Sequence, residues 1–274
     1  MKELLILGAG TSGTMMANHL RKKLPKKDWN LTIIDQEETH YYQPGFLFLP
    51  FDLYKTKDVK KKIDKFIPKG VNLIQKKIEH IDKENDTVIL QNEDVLHYDI
   101  LIIATGTNIA PQEIEGMLGD HWHKSVFDFY TYKGAKNLRN KLRDWEGGKL
   151  VVHISEMPIK CPVAPLEFAF LADSYFINKG MRDKVDITYV TPMSGAFTKP
   201  KATEALNYLL EQKAIIGSIC SSIQKDCKPF LKEINNKMFV YRGTKSVSRS
   251  TAIKKIKART DRMPCRAAVA ARTQ

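Results

Sequence analysis

No apolar run in this 274-residue chain approaches the eighteen or so residues that a membrane-spanning helix needs. Leu4-Leu5-Ile6-Leu7 is too short for a secretory leader and runs straight into glycine, so the start of the chain reads as intracellular. Cysteine is scarce: Cys161, Cys220, Cys227 and Cys265 form no C-x-x-C pair, and no histidine spacing around them suggests zinc, so no metal site is expected. Inside a cell a structural disulfide is a poor default, which leaves each cysteine as a buried thiol or a redox centre. Acids are nearly absent from one end. After residue 240 ten lysines and arginines face Asp261 alone, so nine of the thirteen net positive charges lie there. The body is only mildly basic, and clusters such as Lys60-Lys61-Lys62 read as solvated faces rather than a phosphate track. Nucleic acid is therefore not an expected partner, and a basic-tailed nucleic-acid-binding protein stays as the non-enzyme alternative. With 43% apolar and 27% charged residues, the chain has the make-up of a soluble globular protein of one large or two ordinary domains.

The hydrophobic pattern predicts an α/β fold. Residues 2–7 form a short apolar run ending in glycine, a buried parallel strand. Residues 14–24 have helical spacing and are closed by Pro25. Residues 31–34 are a second buried strand, ended by Asp35. Strand, glycine turn, helix, strand and acid within 35 residues is the order of a right-handed βαβ crossover. Residues 71–74 and 87–90 read as strands around a polar turn at 83–86, and residues 98–103 as a buried strand running into Ala104-Thr105-Gly106. A helix is expected at 132–145. A second α/β unit follows, with a strand at 149–154, a helix at 165–178, a strand at 185–190 and a helix at 201–212. Beyond residue 216 the periodicity degrades. The expected organisation is two Rossmann-like three-layer domains, 1–125 and 126–216, the second incomplete, with 217–274 as a basic tail that is disordered or not native to the fold.

Gly8-Ala9-Gly10-Thr11-Ser12-Gly13 matches G-x-G-x-x-G. Gly8 permits the tight turn, Gly10 lets amides approach a pyrophosphate, and Gly13 lets helix and strand pack closely. The helix N-terminus then offers N–H groups and positive partial charge to the phosphates, while Asp35 is placed to accept from ribose hydroxyls. A buried strand ending in Ala104-Thr105-Gly106 resembles the point where two-dinucleotide flavoproteins return to the FAD phosphates, and this resemblance favours FAD over NAD as cofactor.

Glycine is missing where the second unit would need it. Its turn reads Ser155-Glu156-Met157-Pro158-Ile159-Lys160-Cys161-Pro162-Val163-Ala164-Pro165. Side chains block phosphate approach there, and three prolines have no N–H to offer, so NAD(P)H is disfavoured as reductant. Cys161 stands near the start of the following helix beside Lys160, a setting that favours a thiolate and hence a redox role over an inert thiol. Glu167, one turn on, is a candidate proton shuttle or a plain surface carboxylate.

Three segments together, Gly8 to Gly13, His40-Tyr41-Tyr42-Gln43-Pro44-Gly45 and Lys160-Cys161-Pro162-Val163-Ala164-Pro165, resemble the sulfide:quinone oxidoreductase family of flavoproteins from Met1 to about Ala214. The resemblance implies that FAD is held by Gly8, Gly10, Thr11, Ser12, Gly13, Asp35, Gln43, Pro44, Ala104, Thr105 and Gly106. It implies that Cys161 carries sulfide sulfur as a persulfide, and that two electrons pass through FAD to quinone. Peripheral association with the inner face of a membrane goes with the family, and homo-oligomerisation is left open. The chain ends before the family's second redox cysteine and C-terminal anchor, so the form expected is a truncated one. A type II NADH:quinone oxidoreductase is the competing enzyme reading.

Overall fold

The computed structural model describes residues 1–114, 116–155 and 157–219, and the backbone of strands at 237–242, 247–248 and 268–270. Two compact units emerge. One comprises Met1–Tyr42, Lys60–Asn108 and Val247–Gln274, the other Gln43–Val59 and Ile109–Ser246.

The first unit contains β1 (Lys2–Leu7), α1 (Thr11–Lys23), β2 (Trp29–Ile34), β3 (Thr39–Tyr41), β4 (Lys60–Lys62), β5 (Asn72–Ile74), β6 (Ile78–Asp82), β7 (Thr87–Leu90), β8 (Val95–His97), β9 (Ile100–Ile103) and β10 (Thr107–Asn108). Strands β9, β1, β2 and β5 lie side by side in that order, all parallel, which is the arrangement of a mononucleotide-binding half. Ala268–Ala270 adds an antiparallel strand beside β9.

The apolar runs have a direct cause. Leu4 and Ile6 of β1 pack with Ala17 of α1, Leu31, Ile33 and Ile102 on one face of the sheet. Leu5 and Leu7 pack on the other face with Ile81, Val88 and Leu90, which belong to an antiparallel sheet ordered β6–β7–β8. A strand covered on both faces has no polar side to show, so its sequence does not alternate. Each such side chain is worth about 1.5–3 kcal/mol when fully buried. The result is three layers: helix, parallel sheet, antiparallel sheet. Arg21, Lys22 and Lys23 close α1 with charge that suits its C-terminal dipole.

One strand pair divides differently from expectation. Asn72–Ile74 joins the parallel sheet, whereas Thr87–Leu90 is the middle strand of the separate antiparallel one. Ile78-Glu79-His80-Ile81-Asp82 carries a register shift between Ile78 and His80, and this breaks the two-residue alternation that would have marked it as a strand.

The second unit contains β11 (Val126–Phe127), α2 (Tyr132–Asp144), β12 (Gly148–Ile154), α3 (Ala164–Asn178), β13 (Val185–Thr191), α4 (Pro200–Gln212), β14 (Ile216–Ile219) and β15 (Lys237–Arg242). Its sheet runs β11–β15–β12–β13–β14, every pairing parallel, so the order of the first unit recurs. Phe168 of α3 stacks on Phe129 at 4.8 Å and meets Phe51 at 4.9 Å, which brings the 43–59 segment into this unit. Asp52 reinforces it by accepting from Arg139 and from Arg143 on α2 (2.9 and 2.7 Å).

Asp173, 2% exposed within α3, binds Arg182 Nε and Lys213 Nζ, both at 2.7 Å. Burial alone would raise its carboxyl, but the two cations outweigh that and hold it below the usual carboxylate range.

Strand β15 falls in the stretch that the sequence assigns to the tail. Most of 217–274, with Cys220, Cys227 and Cys265, lies outside the described residues.

Candidate functional site

The glycine turn joins β1 to α1, and each glycine has a different reason to be there. Gly8 has φ +96°, and a Cβ on it would lie 2.5 Å from Ala104 O and 2.8 Å from Thr105 Cα. The end of β9 therefore sits directly on the turn, which brings Ala104, Thr105 and Gly106 to Gly8. A Cβ on Gly13 would lie 1.8 Å from Gly8 O, so only glycine lets helix and turn meet. Nothing lies within 4 Å of the place a Gly10 Cβ would take. The surface over Gly10 is open, as close approach of a phosphate requires.

The amides beside that space are unclaimed by the helix. Its first backbone bond runs from Thr14 N–H to Gly10 O at 3.0 Å, and the Thr14 hydroxyl also donates to Gly10 O at 2.9 Å. α1 has no side-chain cap and no acid in its first turn, and Thr11 and Ser12 are exposed. An uncapped N-terminus with exposed amides and no competing carboxylate suits an anion.

Asp35 follows β2 and does more than was expected of it. Its Oδ2 accepts from Ala9 N–H at 2.7 Å and its Oδ1 from Glu37 N–H at 3.0 Å. Each oxygen keeps a further lone pair for a ribose hydroxyl. With Gly8, Gln36, Lys77 and Thr105 it lines a small recess of about 40 Å³. His40 approaches from β3, its Nδ1 3.1 Å from Ala9 O and its ring 4.3 Å from that of Phe66. The sequence did not single out Gln36, His40 or Lys77 as site residues; His40 alone had a signal, its place in the aromatic segment.

The remaining candidates belong to the second unit. Gln43 and Pro44 are exposed on the 3-10 turn Gln43–Leu47, and Gln43 Oε1 accepts from Lys160 Nζ. That bond joins two of the segments on which the family resemblance rests. Cys161 is exposed and precedes the first residue of α3 by three positions. Its φ of +51° lies in the left-handed region, a conformation that costs a non-glycine residue about 1–3 kcal/mol and tends to persist at functional positions. Its carbonyl accepts from Ala164 N–H at 3.2 Å and from the Tyr130 hydroxyl at 3.5 Å. Glu167 is exposed in the first turn of α3. The two helix starts thus differ in charge: α1 has no acid in its first turn, while α3 carries Glu167 there. Among the described residues no cluster of three or more His, Cys, Asp or Glu could hold a metal ion, and no helix is long and apolar enough to cross a membrane.

His153, near the end of β12, is half-buried, and desolvation pushes its imidazole from 6.5 down to about 4. Between those values the unfolded chain binds a proton that the folded chain does not. The stability concerned is complete above pH 6.5 and declines as pH falls toward 4, by up to about 3 kcal/mol. Urea midpoints at pH 7 and pH 5 should show the decline, and His153→Gln should flatten it.

Residues 2–153 match the pyridine nucleotide-disulphide oxidoreductase family. A mitochondrial sulfide:quinone oxidoreductase of Dictyostelium discoideum is 24% identical over 214 residues, 78% of this chain and 47% of that protein. A type II NADH:quinone oxidoreductase of Staphylococcus aureus is 32% identical over 150 residues, 52% and 34% of the two chains. The X-ray structure of the sulfide:quinone oxidoreductase from Aquifex aeolicus superposes with a TM-score of 0.67 at 23% identity, covering 80% of this chain and 51% of that one, a likeness of fold. The chain spans about half the length, or less, of the curated relatives it matches. Matched over more than half its length, and folded as two Rossmann-like units with parallel sheets, the chain belongs to the pyridine nucleotide-disulphide oxidoreductase family.

Proposed function

We propose that the chain holds FAD at the Gly8–Gly13 turn and acts as a flavoprotein of the sulfide:quinone oxidoreductase type. The observation that carries the reading is the contrast between the two turns. One is open, uncapped and free of acid. The other, whose helix is likewise uncapped, has no glycine from residue 155 to 165, carries the Cys161 thiol, and is followed by Glu167 in the first turn of its helix. The amides of Gly10, Thr11 and Ser12 would bind the diphosphate, and Asp35 would take the ribose hydroxyls through its remaining lone pairs. FAD, when bound, supplies a two-electron acceptor able to pass its electrons on to quinone.

The remaining chemistry falls to the second unit. Cys161 Sγ would form an S–S bond with the sulfur of sulfide, the two electrons released going to bound FAD as the oxidant and the two protons to solvent. Glu167 carries one of those protons to solvent. Lys160, held by Gln43, offers positive charge to the incoming hydrosulfide. The Dictyostelium relative supports sulfide and quinone as substrates.

The Staphylococcus relative supports a second reading, with NADH as reductant. Glu167 argues against it, because a carboxylate in the first turn of α3 repels the nucleotide diphosphate.

One experiment separates the two. The full chain is loaded with FAD and its blue absorption band followed anaerobically. Sulfide is expected to bleach the band and NADH to leave it. Cys161→Ser should slow the sulfide reaction by about a hundredfold or more. Equal bleaching in the variant would remove Cys161 from the mechanism, and bleaching by NADH alone would replace the reading.

A further inference from the structure

We infer that His40 and Asp35 together clamp the Ala9 peptide and so fix the aim of the amides that follow it, which makes His40 a positioning residue for dinucleotide binding. The inference rests on the dinucleotide reading of the turn and extends it to a residue outside the glycine motif.

Ala9 is fully buried, and its peptide groups are held from two sides. Its N–H donates to Asp35 Oδ2 at 2.7 Å, and its carbonyl lies 3.1 Å from His40 Nδ1. A carbonyl can only accept, so Nδ1 is the protonated nitrogen and the imidazole donates. The residues on either side are fixed as well. Gly8 N–H donates to Ile34 O at 2.7 Å, and Gly10 O accepts twice from Thr14. Ala9 lies between these anchors, and without its two side-chain partners the peptide would be free to rotate. Rotation there would redirect the Gly10 N–H, which shares its peptide group with the Ala9 carbonyl.

His40 is itself fixed. β3 pairs antiparallel with β4, His40 opposite Lys61, and the imidazole lies against the Phe66 ring at 4.3 Å. Asp35 is tied in turn by Glu37 N–H. The residue after β2, a residue of β3 and the Phe66 ring that backs it thereby hold the two peptide groups that flank Ala9. Preorganised amides are what close recognition of a diphosphate demands, since turn ordering then need not accompany binding.

Two substitutions separate the hydrogen bond from the stacking. His40→Phe keeps a ring against Phe66 but has no donor. His40→Asn gives up the ring, yet its amide nitrogen occupies the place of Nδ1 and can still donate. Amide hydrogen exchange over residues 8–14 in the full chain without cofactor reads the clamp itself. His40→Phe should speed exchange there about three- to tenfold, the loss of one neutral hydrogen bond, with exchange in β1 and β2 unchanged. His40→Asn should stay near wild type. Titration with FAD, and with ADP as a probe of the diphosphate alone, should show about the same factor lost in His40→Phe and recovered in His40→Asn.

Unchanged exchange in His40→Phe overturns the inference. So does faster exchange with unaltered FAD and ADP affinity, because the clamp then positions nothing. If the wild-type chain bound neither FAD nor ADP, the flavoprotein reading would fall and the positioning role with it, while exchange would still report whether the clamp exists. Should His40→Phe fail to fold, slow exchange and wild-type affinity in His40→Asn support the clamp, and a loss of both in that variant overturns it.

Discussion

Gly10→Glu is expected to leave the chain folded and to weaken FAD binding by about a hundredfold or more, equivalent to roughly 3 kcal/mol. The backbone at Gly10 has φ −71°, ordinary for any residue, and nothing lies within 4 Å of the new Cβ. The new Cβ therefore meets no neighbour, and a carboxylate tethered there is expected to compete with the diphosphate for the amides at the start of α1. Gly13→Ala is the matched opposite. Its Cβ would fall 1.8 Å from Gly8 O, so it should damage the fold itself. Thermal melting by circular dichroism alongside FAD titration separates the two behaviours. A Gly10→Glu protein with wild-type flavin affinity would place the cofactor elsewhere.

Asp173→Ala is expected to cost about 3 kcal/mol of stability, because it leaves two cations without their buried partner. Arg182 and Lys213 both converge on this carboxylate, and Arg182 also donates to Val185 O and Lys213 O, so one acid ties α3 to the entry of β13 and the exit of α4. The pH signature is distinctive. The carboxyl is held below its ordinary value of 3.8, so its contribution is intact above about pH 4 and disappears as the solution is acidified through the folded-state value. That window lies under the one belonging to His153. Urea unfolding of the wild type from pH 7 to pH 3 should thus show two successive losses, and Asp173→Ala should abolish the lower one alone.

The units' main elements were legible because local chemistry and tertiary environment agree in them. Residues 4–7 and 100–103 are apolar throughout, and residues 31–34 are apolar but for Thr32, because both faces of these strands are covered. The turn at Gly8–Gly13 was legible because its steric requirements admit one residue type at two of its positions. Side-chain partnerships were hidden. Nothing in the chain's order pairs Lys160 with Gln43, or His40 with Ala9, since both depend on segments folding back across long separations. Cys161 was visible as a chemical group, but its left-handed backbone was not, because that conformation is imposed by the surrounding turn rather than by cysteine itself. Lys237–Arg242 gave weak local signal, and it acquires its place only through parallel pairing with β12 and β11, more than eighty residues earlier.

The Gln43–Val59 segment, which packs with the second unit although it interrupts the first, constrains how the molecule can be dissected. A polypeptide ending at residue 125 would carry Asp52 without Arg139 and Arg143, and Phe51 without Phe168. Leu49 and Phe51 would then become sticky patches on a polypeptide that also lacks the Ala268–Ala270 strand beside β9. Isolating the first unit would call for joining Asn108 to Val247, excising the whole loop from Gln43 to Val59 and bridging Tyr42 to Lys60 with a short flexible linker, so that β3 and β4 remain a hairpin.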